Sequence, residues 1–197
     1  GDVWVTNHPE YGGSHLPDIT VITPVFHKEH PVFYVANRGH HADIGGLSPG
    51  SMPPFSKSLA EEGVCIKSLK LVDQGVFQQQ KIIALLTGKI VDGPGTPMGK
   101  GTRTLEDNLS DLKAQVFANH RGAELLIELT KRYSLLVVVN YMTYIRNNAE
   151  NAVRTLIKSW DSPDKIQAEE FMDDGTPIRL KLTLDKVLGE AIFDFTG

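Results

Sequence analysis

The sequence predicts an α+β fold: a mixed or antiparallel sheet joined to a long antiparallel helical hairpin, forming a fragment of a larger domain. Three observations lead there. Short apolar runs separated by dense turns fill the first third of the 197 residues. Apolar residues at three- and four-residue steps then run from Leu105 to Leu156. Strand-like segments return after Gln167.

Taken in order, Val3–Thr6 reads as a short strand and 9–13, rich in Pro and Gly, as a turn. Ile19–Phe26 reads as a buried strand, with Pro24 placing it near an edge or bulge. His27–His30 makes a polar connection to the strand Pro31–Ala36. A long loop over 39–54 follows, too rich in specific side chains for simple disorder. Val64–Val72 is the next predicted strand, then a short helix over 77–86 and a glycine-rich loop over 91–104. One helical stripe carries Leu105, Leu109, Leu112, Val116, Ala123, Leu126 and Tyr133. A second carries Val138, Met142, Ile145, Ala149, Ala152 and Leu156. Both stripes are expected to be core, and the short link at Ser134 predicts the hairpin. Gln167–Met172, Ile178–Leu184 and Ala191–Phe195 complete an antiparallel meander, with its first turn at Asp173-Asp174-Gly175. A start on Gly1-Asp2 that runs straight into a strand, and an end in another strand, suggest an excised segment.

A net charge of -4, a pI near 6.0 and scattered basic residues exclude a nucleic-acid face and a polybasic membrane anchor. The longest apolar run, Leu135–Val139, is far short of a membrane span. Cys65 stands alone, so no intrachain disulfide forms, and a cytosolic location is expected.

Chemistry concentrates in two motifs. Asn7-His-Pro-Glu-Tyr-Gly-Gly-Ser-His-Leu-Pro-Asp18 and Asn37-Arg-Gly-His-His-Ala-Asp-Ile-Gly-Gly46 each contain His-x-x-Asp, at His15/Asp18 and His40/Asp43. They flank consecutive strands, so they can converge at one end of a sheet. Imidazole and carboxylate ligands together suit a divalent ion such as Zn²⁺ or Mn²⁺. The competing reading is loop histidines bonded to backbone carbonyls. Arg38 either clamps a substrate carboxylate or braces a loop. Asn108, Asp111 and Gln115 share one helical face, and either cap the helix or line and support the site. Walker-type phosphate loops and Gly-x-Ser-x-Gly elbows are missing from the sequence.

These motifs, with Pro49-Gly-Ser-Met-Pro-Pro54 and Asp107-Asn-Leu-Ser-Asp-Leu-Lys-Ala-Gln115, resemble the hydantoinase B family. That family includes N-methylhydantoinase B subunits, a subunit of acetone and acetophenone carboxylases, and the C-terminal half of 5-oxoprolinases. The wording of Thr6-Asn-His-Pro and of the segment 32–43 looks most like the oxoprolinase branch. The resemblance implies ATP-dependent ring opening of 5-oxo-L-proline to L-glutamate, within the glutathione cycle. It implies ATP-Mg bound by an N-terminal half absent here, a response to K⁺, and a homodimer. It implies a divalent ion (Mn, Zn or Mg) on His15, Asp18 and His40. His41 or Asp43 would act as general base or support the ligands, Asp43 remaining open as a direct ligand. Arg38 or the loop amides near Gly45 would hold the substrate carboxylate, with Asn108 and Asp111 lining the site. The runner-up is a hydantoinase or carboxylase subunit acting on another cyclic amide or ketone.

Overall fold

The computed structural model describes residues 1–196. They divide into two compact units, Gly1–Glu128 and Leu129–Gly197. Among the described residues, no helix is long and apolar enough to cross a membrane.

The first unit holds a five-stranded sheet of β1 (Val3–Thr6), β2 (Asp18–His27), β3 (His30–His40), β4 (Leu69–Asp73) and β5 (Val76–Phe77). Their order is β3-β2-β1-β4-β5, and every pairing is antiparallel. The choice between a mixed and an antiparallel sheet is thereby resolved. β2 and β3 form the longest ladder, because their inward positions alternate with polar outward ones. Ile19 and Val21 are fully buried, whereas Asp18, Thr20, Arg38 and His40 lie on the opposite face. Pro24 sits beyond the end of β1, whose pairing with β2 spans only Thr20 to Ile22. Its missing N–H therefore breaks no ladder bond on that side.

Three helices belong wholly or partly to this unit: α1 (Leu59–Glu62), α2 (Gln79–Leu86) and the first part of α3 (Leu105–Tyr133). Leu109 and Leu112 of α3 and Ile82, Leu85 and Leu86 of α2 join Val5, Ile19, Val21 and Leu71 in one core. Acidic residues in the first turn of α3 (Glu106, Asp107) and basic ones in its last (Lys131, Arg132) match the helix dipole. The helix approaches β3 closely, and two glycines permit it. A Cβ on Gly39 would lie 3.1 Å from the Gln115 amide nitrogen, and one on Gly122 would lie 2.8 Å from a Val35 methyl.

The strand expected over 64–72 forms only from Leu69. Its first part is held instead by Asn7, a fully buried polar residue. The Asn7 amide donates to the Leu16 carbonyl (2.8 Å) and the Val64 carbonyl (2.9 Å), and its oxygen accepts from the Ile66 N–H (2.6 Å). Side-chain bonds to one asparagine, joined by the Asn7 and His8 backbone N–H groups on the Ile66 carbonyl, take the place of a regular ladder, which no apolar pattern announces.

The second unit contains the end of α3, α4 (Leu135–Ser159) and a three-stranded antiparallel sheet of β6 (Lys165–Phe171), β7 (Pro177–Asp185) and β8 (Glu190–Asp194). The predicted meander is present, with Gly175 at positive φ in its first turn. α3 and α4 are linked through the single residue Ser134, at φ 70°. The second apolar stripe departs from its expected role as core. Val138 is buried, but Ile145 and Leu156 are 67% and 63% exposed. A helical period reports that a face is apolar, not that this chain covers it.

Replacing Asn7 with alanine strands one buried N–H and two carbonyls, at roughly 1–3 kcal/mol each in the worst case. Denaturant unfolding of Asn7→Ala is expected to show a loss of about 3 kcal/mol. An unchanged midpoint contradicts this account of the 64–68 segment.

Candidate metal centre

The loop from Asn7 to Asp18 is shaped from both ends. Pro9–Tyr11 forms a single 3₁₀ turn capped by the His8 ring, whose Nδ1 accepts the Glu10 N–H at 3.1 Å. Gly12 then turns the chain at φ 92°. Gly13 must be glycine, since a Cβ there would sit 2.1 Å from the Asn7 carbonyl oxygen. Leu16 plugs into the core, and the Asp18 N–H closes a turn on the His15 carbonyl at 2.9 Å. His15 is thus held over the start of β2.

The register of the hairpin places Asp18 directly opposite His40. Their side chains meet, with His40 Nδ1 2.8 Å from Asp18 Oδ1. His15 completes the group. Its ring packs edge-on to His40 at 5.4 Å, and its Nδ1 lies 3.4 Å from Asp18 Oδ2. Potential ligand atoms of His15, Asp18 and His40 all lie within 4.8 Å of one another. The side chains are 29%, 19% and 49% exposed, so the group opens to solvent on one side. Burial alone would push the Asp18 carboxyl up. Hydrogen bonds from His40 and Ser14 and the two nearby imidazoles outweigh it and hold the carboxyl below the usual range.

These residues fit a divalent ion on an observation of their own. His15 Nδ1 is buried without a hydrogen-bond partner, although Asp18 is close by. A buried, unpartnered ring nitrogen beside a carboxylate and a second imidazole suits a cation. Two nitrogens and an oxygen from three residues leave coordination positions for water or substrate.

The other sequence candidates go elsewhere. His41 is 1% exposed and its ring lies between two amides. Asn108 Nδ2 donates to the Asp43 carbonyl at 2.9 Å and meets His41 Nδ1 at 3.1 Å. Gln115 Nε2 donates to the Ile19 carbonyl and to Asn37 Oδ1, both at 2.9 Å, which turns its oxygen towards His41 Nε2 at 3.2 Å. Backbone carbonyls fix both amides, so His41 carries its proton on Nε2 and accepts at Nδ1. Burial pushes its pKa down. Through these two contacts His41 is a crosspiece between β3 and α3.

Asp43 is likewise saturated. Oδ1 accepts from the Gly45 N–H (2.9 Å) and Arg103 Nη2 (2.6 Å), and Oδ2 from the Arg103 N–H (2.8 Å) and Nε (2.7 Å). Burial raises this carboxyl, but the Arg103 guanidinium and the two amides outweigh that and hold it low. Asp43 stands outside the three-residue group of His15, Asp18 and His40. Gly45, at φ 87°, packs so tightly on Gly101 that a Cβ would meet that backbone at 2.3 Å. Its N–H is spent on Asp43. Asp111 is exposed on α3, and Asn108 is buried in the His41 contact.

Arg38 braces the loop. It donates to the Gly12 carbonyl (2.7 Å), Thr20 Oγ1 (2.9 Å) and Ser14 Oγ (3.5 Å). Among the described residues no carboxylate pairs with it, and two of its five N–H groups stay unused. Sequence reasoning missed Ser14, Thr20, Arg103, Asn37 and Asn119. Of these, Ser14 lay inside the first motif and Asn119 continued the Asn108/Gln115 face by one more turn.

The hydantoinase B/oxoprolinase family model matches residues 1–197. The chain is 54% identical over 210 residues to 5-oxoprolinase 1 of Arabidopsis thaliana, covering all of this chain but 16% of that protein. The crystal structure of the ATP-dependent caprolactamase from Pseudomonas jessenii superposes with a TM-score of 0.77 at 31% identity, over 97% of this chain and 31% of that one. A nucleotide-free acetone carboxylase structure matches at TM-score 0.75 and 16% identity, over 98% of this chain and 26% of that one, and shows the fold alone.

Arg103→Ala leaves the Asp43 carboxylate buried with two amides, and is expected to cost about 2 kcal/mol near neutral pH. Because the folded Asp43 carboxyl is held low, its contribution is complete above the unfolded value of about 4 and fades as pH falls through the folded value. Unfolding curves of the two proteins should differ at pH 7 and converge below about pH 4. A difference that grows in acid contradicts the assignment.

Proposed function

The chain belongs to the hydantoinase B/oxoprolinase family, and on that premise we propose that it serves the ATP-dependent ring opening of 5-oxo-L-proline to L-glutamate. The observation that carries the reading is the convergence of His15, from the loop before β2, with Asp18 at the start of β2 and His40 at the end of β3. An unactivated lactam resists water through amide resonance. Activation by phosphorylation of its carbonyl oxygen makes ring opening feasible at a site that orients water and stabilises negative charge. A divalent ion (Mn, Zn or Mg) held by His15, Asp18 and His40 supplies that Lewis acidity when bound.

The chain's own residues do the rest. Asp18 stays ionised between His40 and Ser14, and so keeps a negative ligand in place. His41 and Asp43 fix the segment after His40, through α3 and Arg103 respectively. Arg38, on the same face of the hairpin and without a carboxylate partner among the described residues, offers two N–H groups to the carboxylate of 5-oxoproline. That charge favours 5-oxoproline over neutral caprolactam or acetone, the substrates in the names of the related structures. The proposal further includes ATP-Mg bound by another half of the polypeptide and a response to K⁺. It also includes a homodimer in the cytosol with a place in the glutathione cycle. The alternative is a subunit acting on another cyclic amide or ketone, for which the likeness to caprolactamase speaks.

The test is to assay glutamate formation from 5-oxo-L-proline, with caprolactam and hydantoin alongside. His15→Ala and His40→Ala are expected to reduce glutamate formation at least about 1,000-fold while ATP binding survives. Ring opening retained in both variants without bound metal contradicts the proposal. Turnover of caprolactam or hydantoin alone moves the assignment to the alternative.

A further inference from the structure

Ser14 sits between the two charged groups that frame the candidate centre. Its Oγ receives Arg38 Nη1 at 3.5 Å and lies 3.0 Å from Asp18 Oδ2. A guanidinium only donates, so the hydroxyl proton of Ser14 is free to point at Asp18. Arg38 itself is anchored from two sides, by the Gly12 carbonyl and by Thr20, its register neighbour across the hairpin. The chain of bonds therefore runs one way, from Arg38 through Ser14 to the carboxylate. It holds Oδ2 while Oδ1 meets His40 at 2.8 Å.

We infer that Ser14, steered by Arg38, is a positioning residue that sets the orientation of the Asp18 carboxylate for cation binding. The inference rests on the cation reading of His15, Asp18 and His40. A carboxylate on a short side chain can rotate about its terminal torsion, and that torsion is broad. Tying Oδ2 to Ser14 removes the freedom, keeping Oδ2 3.4 Å from His15 Nδ1 and presenting Oδ1 to His40. Groups that hydrogen-bond to metal ligands commonly govern affinity by about 10–100-fold. Ser14 is exposed and is not a member of the core, so its removal changes ligand geometry without emptying the core.

The experiment titrates Co²⁺ into the intact protein and reads affinity and the visible absorption bands, with the melting temperature of the cation-free protein measured beside them. Ser14→Ala is expected to weaken Co²⁺ about tenfold and alter the bands, at an unchanged melting temperature. Ser14→Thr, which keeps the hydroxyl, is expected to restore both. Since Arg38 acts through Ser14, adding Arg38→Ala to Ser14→Ala should cost less than about twofold more. Wild-type affinity and bands in Ser14→Ala overturn this inference and leave the cation reading standing. A loss that Ser14→Thr does not restore, or that tracks a lower melting temperature, also overturns it. Wild-type protein that binds no Co²⁺ overturns both readings together.

Discussion

The register of the β2–β3 hairpin decides where the chemistry of this chain is placed. Asp18 stands opposite His40, Thr20 opposite Arg38, and Ile19 and Val21 face the core from the alternate positions. Because side chains alternate with period two, a slip by one residue would bury the carboxylate and the imidazole and expose the isoleucine and valine. Apolar burial on one face therefore maintains polar convergence on the other. The register is reinforced from α3, where Gln115 and Asn119 reach the Ile19 and Val21 carbonyls at 2.9 and 3.0 Å. The helix thereby recognises the strand through hydrogen bonds at stated positions as well as through packing.

The two His-x-x-Asp motifs look alike as text and do different work. In the first, both named residues enter the same group. In the second, His40 joins that group, while Asp43 turns inward to Arg103 and His41 to Asn108 and Gln115. The difference follows from the backbone. His40 ends a strand and shares the outward face of Asp18, but from His41 onward the chain leaves the ladder and enters the interior. Sequence periodicity locates the end of β3 only to within a few residues. The division of labour inside the motif turns on that boundary.

Much of the fold was legible because apolar alternation and helical spacing mark elements reliably. β1, the β2–β3 pair, the two long helices and the final meander fall where those patterns place them. What escaped was held by single polar side chains. Asn7 replaces a strand pairing across 64–66, and Arg103 reaches back sixty residues to Asp43. Neither leaves a period or a motif to read. The exposure of the α4 stripe is a third case: apolar spacing was read correctly, but burial depends on a covering surface that spacing does not specify. Family membership underlies the proposed reaction class, and the hairpin face gives that proposal its physical basis.

The central claim is that one cation joins His15, Asp18 and His40. Diffraction from crystals grown with Mn²⁺, collected at the manganese absorption edge, tests it directly. The account predicts an anomalous peak about 2.0–2.3 Å from one atom of each of the three side chains. Strong anomalous density elsewhere, with His40 still bonded to Asp18 and His15 Nδ1 unpartnered, would contradict it.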